Sequence, residues 1–182
     1  MAWSAPMTAV ANATFTAAQF NQYVRDNLNE TAPAKATTSG GYFVADGVNS
    51  IAERFATGNT DLNSGTTTST TFTDLTGAAI GPTVTVTTGT MALVFIHGQM
   101  GNSGTGSARM AYDVSGATTI AAADNRGNAV FGVAGVTIAT GTAVLHFGGV
   151  ALTPGSNTFT AKYRVSSGTG TFSARRISVL PL

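Results

Sequence analysis

The sequence predicts a mainly β protein, an antiparallel β-sandwich of the jelly-roll type preceded by an N-terminal arm with one α-helix. Residues 15–30 are the strongly helical stretch, whereas short apolar–polar alternations separated by glycine-rich turns follow from residue 59 onward. Charged residues make up only 9% of the chain, against about 25% in typical globular proteins. We therefore expect an attachment arm over residues 1–58 and an antiparallel sandwich over residues 59–182.

The predicted helix covers about residues 16–30, and the signals at its start define it best. Thr16 and Gln19 have the spacing of a capping box, and Phe15 and Phe20 that of a hydrophobic staple. We expect the helix to end before Pro33, because the residue preceding a proline avoids helical geometry. The apolar stripe along this helix consists of Phe20, Tyr23, Val24 and Leu28, interrupted by Asn27.

A helix of about four turns is marginally stable by itself in water, so its apolar stripe must pack against something. The residues leave two partners open, the chain's own domain and a neighbouring subunit. Trp3, the single tryptophan, lies beside a Ser-Ala-Pro turn signal and favours anchoring in an apolar pocket. The candidate partner-binding residues are therefore Trp3, Phe15, Phe20, Tyr23, Val24 and Leu28.

The segment between the helix and the sandwich has the composition of a connector. Pro33 and the Thr/Ser/Gly run over residues 37–41 indicate loop structure. Ser50 and Glu53 have capping-box spacing and predict a short helical turn over residues 51–55, closed by Gly58.

The strand pattern after residue 59 is clearest over residues 157–165, where inward and outward side chains alternate strictly. In the last strand the apolar residues change parity after Ala174, which predicts a β-bulge near Arg175 and Arg176, since one extra residue exchanges the two faces. The candidate strands are residues 70–75, 83–87, 91–97, 107–114, 129–134, 142–152, 157–165 and 172–179.

We find no motif for catalysis, cofactor binding or metal binding. The glycine-dense residues 98–106 lack the lysine of a phosphate-binding loop, so we expect a flexible hairpin loop. Both histidines, His97 and His146, lie among apolar residues, which favours a packed or interface role over a metal site. The four aspartates of the sandwich considered for acid–base chemistry are scattered singly: Asp61, Asp74, Asp113 and Asp124.

The only bias in charge is basic and lies near the C-terminus. We expect these side chains to form a solvated sheet face, with contact to an acidic partner surface as the alternative. The residues concerned are Lys162, Arg164, Arg175 and Arg176.

Composition also excludes several classes of partner. A net charge of +1 argues against a nucleic-acid binder, which needs a dense basic surface. The absence of cysteine excludes disulfides, and the apolar run 91–96 is too short to insert in a membrane. The first 24 residues have no side-chain charge but show no signal-peptide pattern, so we expect synthesis in the cytoplasm. A surface so poor in charge favours coverage by other subunits.

The first 30 or so residues resemble the opening of small structural proteins of tailed bacteriophages, particularly those of actinobacteria. Such proteins combine a Trp-x-x-Pro element, a helix containing an Arg-Asp-Asn motif and a Thr/Gly-rich β-domain. Here the matching residues are Trp3, Pro6, Thr16, Ala17, Phe20, Asn21, Val24, Arg25, Asp26, Asn27 and Leu28.

This resemblance implies a virion protein without enzyme activity, cofactor or metal. It implies a capsid decoration or head-fibre protein, a homotrimer whose arm docks on a major capsid or tail protein. The alternative is a tail, collar or fibre component. Independently of the resemblance, a rival class is a carbohydrate-binding module or receptor-binding tip for a host-surface glycan, which would use the loop at residues 101–106 and exposed aromatics such as Tyr112. A hydrolase ranks below both.

Overall fold

The structure of the protein is a computed structural model that describes residues 3–77, 81–132 and 134–182. The chain forms two units, Met1–Phe55 and Ala56–Leu182. No helix in the described ranges has both the length and the hydropathy to cross a membrane.

The N-terminal unit contains short helical segments followed by a β-hairpin. The capping box at Thr16 and Gln19 is confirmed. Helical geometry then continues to Asn29, so the helix ends before Pro33 as predicted. Pro33 lies in the first turn of the next short helix, where a proline is tolerated. The elements are α1 (Ala17–Phe20), a π-helical turn (Asn21–Arg25), α2 (Asp26–Asn29), α3 (Ala32–Lys35), β1 (Tyr42–Gly47) and β2 (Ser50–Arg54).

The helical turn predicted over residues 51–55 is wrong, because Ser50–Arg54 is strand β2, antiparallel to β1. Asn49 takes a left-handed conformation, with φ at 55°, in the turn between the two strands. The Glu53 carboxylate accepts hydrogen bonds from Thr37 instead of bonding to an N-cap. A tight turn and a bond from the preceding loop thus override the local capping signal.

The second unit is a sandwich of two antiparallel sheets, which confirms the predicted fold class. One sheet has the order β5-β10-β7-β8, and the other has the order β3-β11-β6-β9 with β4 also paired to β11. Most consecutive strands lie in opposite sheets, except the pairs β3–β4 and β7–β8. Its strands are β3 (Thr57–Asp61), β4 (Gly65–Thr67), β5 (Thr83–Thr88), β6 (Ala92–Asn102), β7 (Ala108–Gly116), β8 (Gly127–Val130), β9 (Thr137–His146), β10 (Gly155–Val165) and β11 (Gly170–Pro181).

The core lies between the two sheets and follows the predicted alternation. The inward residues of β10 are fully buried, and those of β7 are nearly so. The rings of Tyr163 and Phe172 pack 4.9 Å apart across the sandwich. The buried residues of β7 and β10 are Ala108, Met110, Tyr112 and Val114, and Phe159, Ala161, Tyr163 and Val165.

The flexible loop predicted from the glycine density of residues 98–106 is wrong for the first part of this range, because strand β6 continues to Asn102. A Cβ at Gly98 would lie 3.0 Å from the Met110 sulfur, and one at Gly101 would lie 2.9 Å from the Val136 carbonyl oxygen. These glycines therefore permit close approach within a strand, and only the residues after Asn102 form the loop.

The region 70–75 contains no regular strand. Thr73 forms an isolated antiparallel bridge with Tyr163, and Thr66 forms one with Thr76. Strands β3 and β4, which precede this region, pair with β11, and their Thr, Gly and Asn residues give no apolar alternation. Strand β9 also begins earlier than predicted, at Thr137.

The β-bulge predicted in the last strand is confirmed. The register of β11 against β6 shifts between Ser173 and Arg176. Ala174, inside the shift, has a φ of 45°, a left-handed conformation that is uncommon for residues other than glycine. The bulge lets Phe172 and Ile177, which differ in parity, both point into the core.

Candidate attachment surface of the N-terminal unit

The start of the helix is fixed by reciprocal capping. The Gln19 amide donates to Thr16 Oγ1 at 3.2 Å, and the Thr16 amide donates to Gln19 Oε1 at 2.9 Å. The rings of Phe15 and Phe20 meet edge to face with centroids 6.1 Å apart, as expected for a hydrophobic staple. This contact holds the two aromatic rings together at the surface.

Asn27, the polar interruption of the stripe, joins the first residues of the chain to the helix. Its Oδ1 accepts a hydrogen bond from the Ser4 amide at 2.8 Å, and its Nδ2 donates to the Ser4 carbonyl oxygen at 3.1 Å. Nδ2 also donates to the Tyr23 carbonyl oxygen at 3.1 Å. The side chain is buried, so these bonds satisfy both of its polar atoms. The segment around Trp3 is thus tied to the helix.

The six candidate residues fall into two groups by exposure. Tyr23 and Val24 are half-buried within the unit. The other four keep large apolar side chains in contact with solvent. These are Trp3, exposed by 39%, Phe15 by 50%, Phe20 by 49% and Leu28 by 58%.

The π-helical turn explains why the stripe divides in this way. Asn21–Arg25 has wider spacing than an α-helix, which changes the angular relation between the residues before and after it. Phe20 and Leu28 are consequently both exposed although Asn27, between them in the stripe, is buried. The periodicity of a uniform α-helix does not reveal this.

Trp3 borders an open depression in the surface of its own unit. Its amide donates to the Asn49 carbonyl oxygen at 2.9 Å. Ala45, Ile51 and Glu30 also line the depression, which has a volume of about 440 Å³. The backbone of Trp3 is therefore tied to its own hairpin, while its side chain remains partly exposed.

Two carboxylates stabilise the unit through local partners. Lys35 Nζ lies 2.8 Å from Glu30 Oε2, and this contact lowers the pKa of Glu30. Hydrogen bonds from the hydroxyl and amide of Thr37 lower the pKa of Glu53. Both groups are thus held in their charged forms by the structure around them.

The aspartates of the sandwich that were candidates for chemistry are all ion-paired. Asp61 pairs with Arg175, and Asp124 pairs with both Arg109 and Arg164. Lys162 lies 2.8 Å from Asp74 and 3.6 Å from Asp113. Each of the four carboxylates therefore forms an ion pair with at least one basic side chain.

The expected solvated basic face near the C-terminus is wrong for Arg175. Lys162 and Arg164 are in the ion pairs just described, and Arg175 is fully buried. Arg175 pairs with Asp61 through Nη2, donates to the Asn63 carbonyl oxygen at 3.2 Å and to Tyr163 Oη at 3.3 Å. The bulge turns its side chain inward, leaving Arg176 exposed.

The two histidines have different environments. His146 is fully buried, with Nδ1 3.0 Å from the Val150 carbonyl oxygen and Nε2 2.7 Å from the Tyr112 hydroxyl. A carbonyl only accepts, so Nδ1 carries the proton and Nε2 accepts from Tyr112. Burial lowers the pKa of His146 and keeps the ring neutral. His97 is exposed.

Within the described ranges, no group of three or more His, Asp or Glu side chains is arranged to hold a metal ion. No protein-family model matches the chain, and no curated protein matches it. The candidate functional site of this chain is the exposed apolar surface of its N-terminal unit.

Proposed function

We propose that this chain is a structural, non-enzymatic protein of a tailed-bacteriophage virion, of the capsid decoration or head-fibre type. Its N-terminal unit docks on a major capsid or tail protein, and its sandwich is displayed as a homotrimer on the particle. The observation that carries this proposal is the exposed apolar set Trp3, Phe15, Phe20 and Leu28, which we term the arm surface.

The arm surface suits docking because its members are exposed but firmly held. Phe15 and Phe20 support each other, and Asn27 fixes the segment of Trp3. Because these residues are already ordered before binding, association loses less conformational entropy. Burying one such side chain completely contributes about 1.5–3 kcal/mol, so four partly exposed ones can supply substantial docking energy.

A tail, collar or fibre position remains the alternative, and it would use the same arm surface on a different neighbour. One observation speaks against a glycan-binding role for such a component. Tyr112, which we expected to be exposed, is fully buried, and the side chain of Asn102 at the base of the following loop is tied to the Ser107 and Ser167 carbonyl oxygens.

Incorporation into particles tests the arm surface directly. We expect Phe20→Asp and Leu28→Asp to abolish incorporation, since each places a charge where an apolar side chain must be buried. Gln22→Asp is the matched control, an exposed polar position on the same helical stretch that should incorporate normally. The measurement is the amount of the chain per purified particle by mass spectrometry, with circular dichroism to verify folding. Normal incorporation of both Asp variants would overturn the proposal.

A further inference from the structure

The two outer faces of the sandwich differ in chemistry. On the β5-β10-β7-β8 sheet, threonines and ion pairs cover the surface, including Lys162 with Asp74 and Arg164 with Asp124. Thr85 and Thr158 form a hydroxyl–hydroxyl contact of 2.8 Å across two strands of this face. Such a surface is well suited to permanent contact with water.

The outer face of the other sheet carries exposed apolar side chains and almost no charge. Strand register places Leu180, Leu93 and Leu145 in one row across β11, β6 and β9, and Ser178, Phe95 and Ala143 in the next. Phe95 and Leu145 are each 41% exposed. We term this surface the leucine face; its members are Leu93, Phe95, Ala139, Ala143, Leu145 and Leu180.

Charge is nearly absent from the leucine face. Within the described strands β6, β9 and β11, Arg176 is the one charged residue at an outward position, and there is no outward acid. Arg176, His97 and Gly141 form the row beside Phe95 and line an open depression of about 560 Å³. The missing side chain at Gly141 creates a recess that a protruding apolar group can enter.

The leucine face continues to an uncharged sheet edge. Strand β9, Thr137–His146, lies at the end of the sheet order and contains neither a charged residue nor a proline over its 10 residues. Natural sheets usually protect long edges with charge, proline or bulges. An uncharged edge beside an apolar face indicates a surface that is covered in the functional assembly.

We propose that a second copy of this chain covers the leucine face and the β9 edge. Three strands of 10 to 12 residues, at about 3.3 Å per residue and a spacing of about 4.8 Å, give a face of about 500 Å² before side-chain relief, which is about the area each partner needs for an interface of about 1,000 Å² in total. A face without acidic groups offers no recognition to a basic partner, whereas in a homotrimer each copy can turn this uncharged face toward its neighbours. The inference deepens the proposed function, on whose homotrimer it rests.

Light-scattering mass after size exclusion of the full chain, over a concentration series, tests this inference. We expect the wild-type chain to be an oligomer, and Leu145→Glu and Ala143→Arg to be monomers. Ala143→Arg adds bulk and charge at an exposed position and removes no packed side chain. Thr87→Glu, exposed on the outer face of the opposite sheet, is the matched control and should stay oligomeric.

The outcomes separate this inference from the proposed function. If the wild-type chain is an oligomer and both leucine-face variants remain oligomers, another surface joins the copies and the inference is overturned, although the trimer stands. A monomeric wild-type chain overturns the inference and the trimer together. In either case incorporation into particles still decides, independently, whether the arm surface docks.

Discussion

At the residue scale, the two histidines provide a matched pair for testing the effect of pH. Burial lowers the pKa of His146 below its ordinary value of 6.5. At a pH between the lowered pKa of the folded chain and the ordinary value of 6.5, the unfolded chain binds a proton that the folded chain does not. The free energy of unfolding therefore falls as the pH drops below 6.5. Above 6.5 both states are neutral and this histidine contributes no pH dependence.

We therefore expect His146→Gln to remove this loss of stability and His97→Gln, at an exposed position, to retain it. Urea unfolding of the full chain on either side of the ordinary histidine pKa measures the difference. Identical pH dependence in the two variants would show that the buried ring is not the group responsible.

Single residues also show where the sequence is uninformative. Asn27 breaks an apolar stripe and on pattern alone is a defect, yet it holds Ser4 through two hydrogen bonds. Arg175 lies in a basic cluster that a pattern assigns to solvent, and it is fully buried. Both residues meet partners distant in the chain, 23 residues away for Ser4 and 114 for Asp61, and local periodicity carries no information about such contacts.

At the scale of elements, the bulge in β11 stores backbone strain that a substitution can release. Ala174 has a φ of 45°, where an alanine Cβ is crowded and glycine is not. We expect Ala174→Gly to raise the free energy of unfolding by about 1 kcal/mol. Ala129→Gly in β8, where φ is negative, should lower it by about 0.5–1 kcal/mol through the greater flexibility of glycine. Denaturant unfolding compares the two, and a loss of stability in Ala174→Gly would contradict the expectation.

Elements with a strong alternating pattern were predictable, and those without one were not. The run 157–165 alternates strictly, and the parity change after Ala174 is by itself enough to predict the bulge. Strands β3 and β4 consist of small and polar residues and acquire their conformation by pairing with β11. The arm surface was predictable in composition, but which of its residues remain exposed depends on the π-helical turn.

At the scale of the whole molecule, the division into units predicts how the chain tolerates truncation. Every residue of the buried core cluster lies between Leu75 and Val179. We expect residues 56–182 to fold into the sandwich. Residues 62–182 lack β3 and Asp61, leaving the buried Arg175 without its carboxylate, which typically costs about 3–5 kcal/mol. Thermal unfolding by circular dichroism should show a lower midpoint for the shorter chain, and equal midpoints would contradict this.

The position of β11 has a consequence for synthesis. It is the last strand of the sandwich in chain order, yet it lies inside its sheet, paired with β3, β4 and β6. Until the ribosome has released these residues, β3 and β4 have no neighbour from β11, and one side of β6 stays open. A nascent chain therefore exposes unpaired strands and core side chains for most of its translation, a condition that promotes aggregation. The sandwich can close only after β11 has left the ribosome, and a chain terminated before residue 170 would be a substrate for chaperones and proteases instead of a subunit ready for assembly.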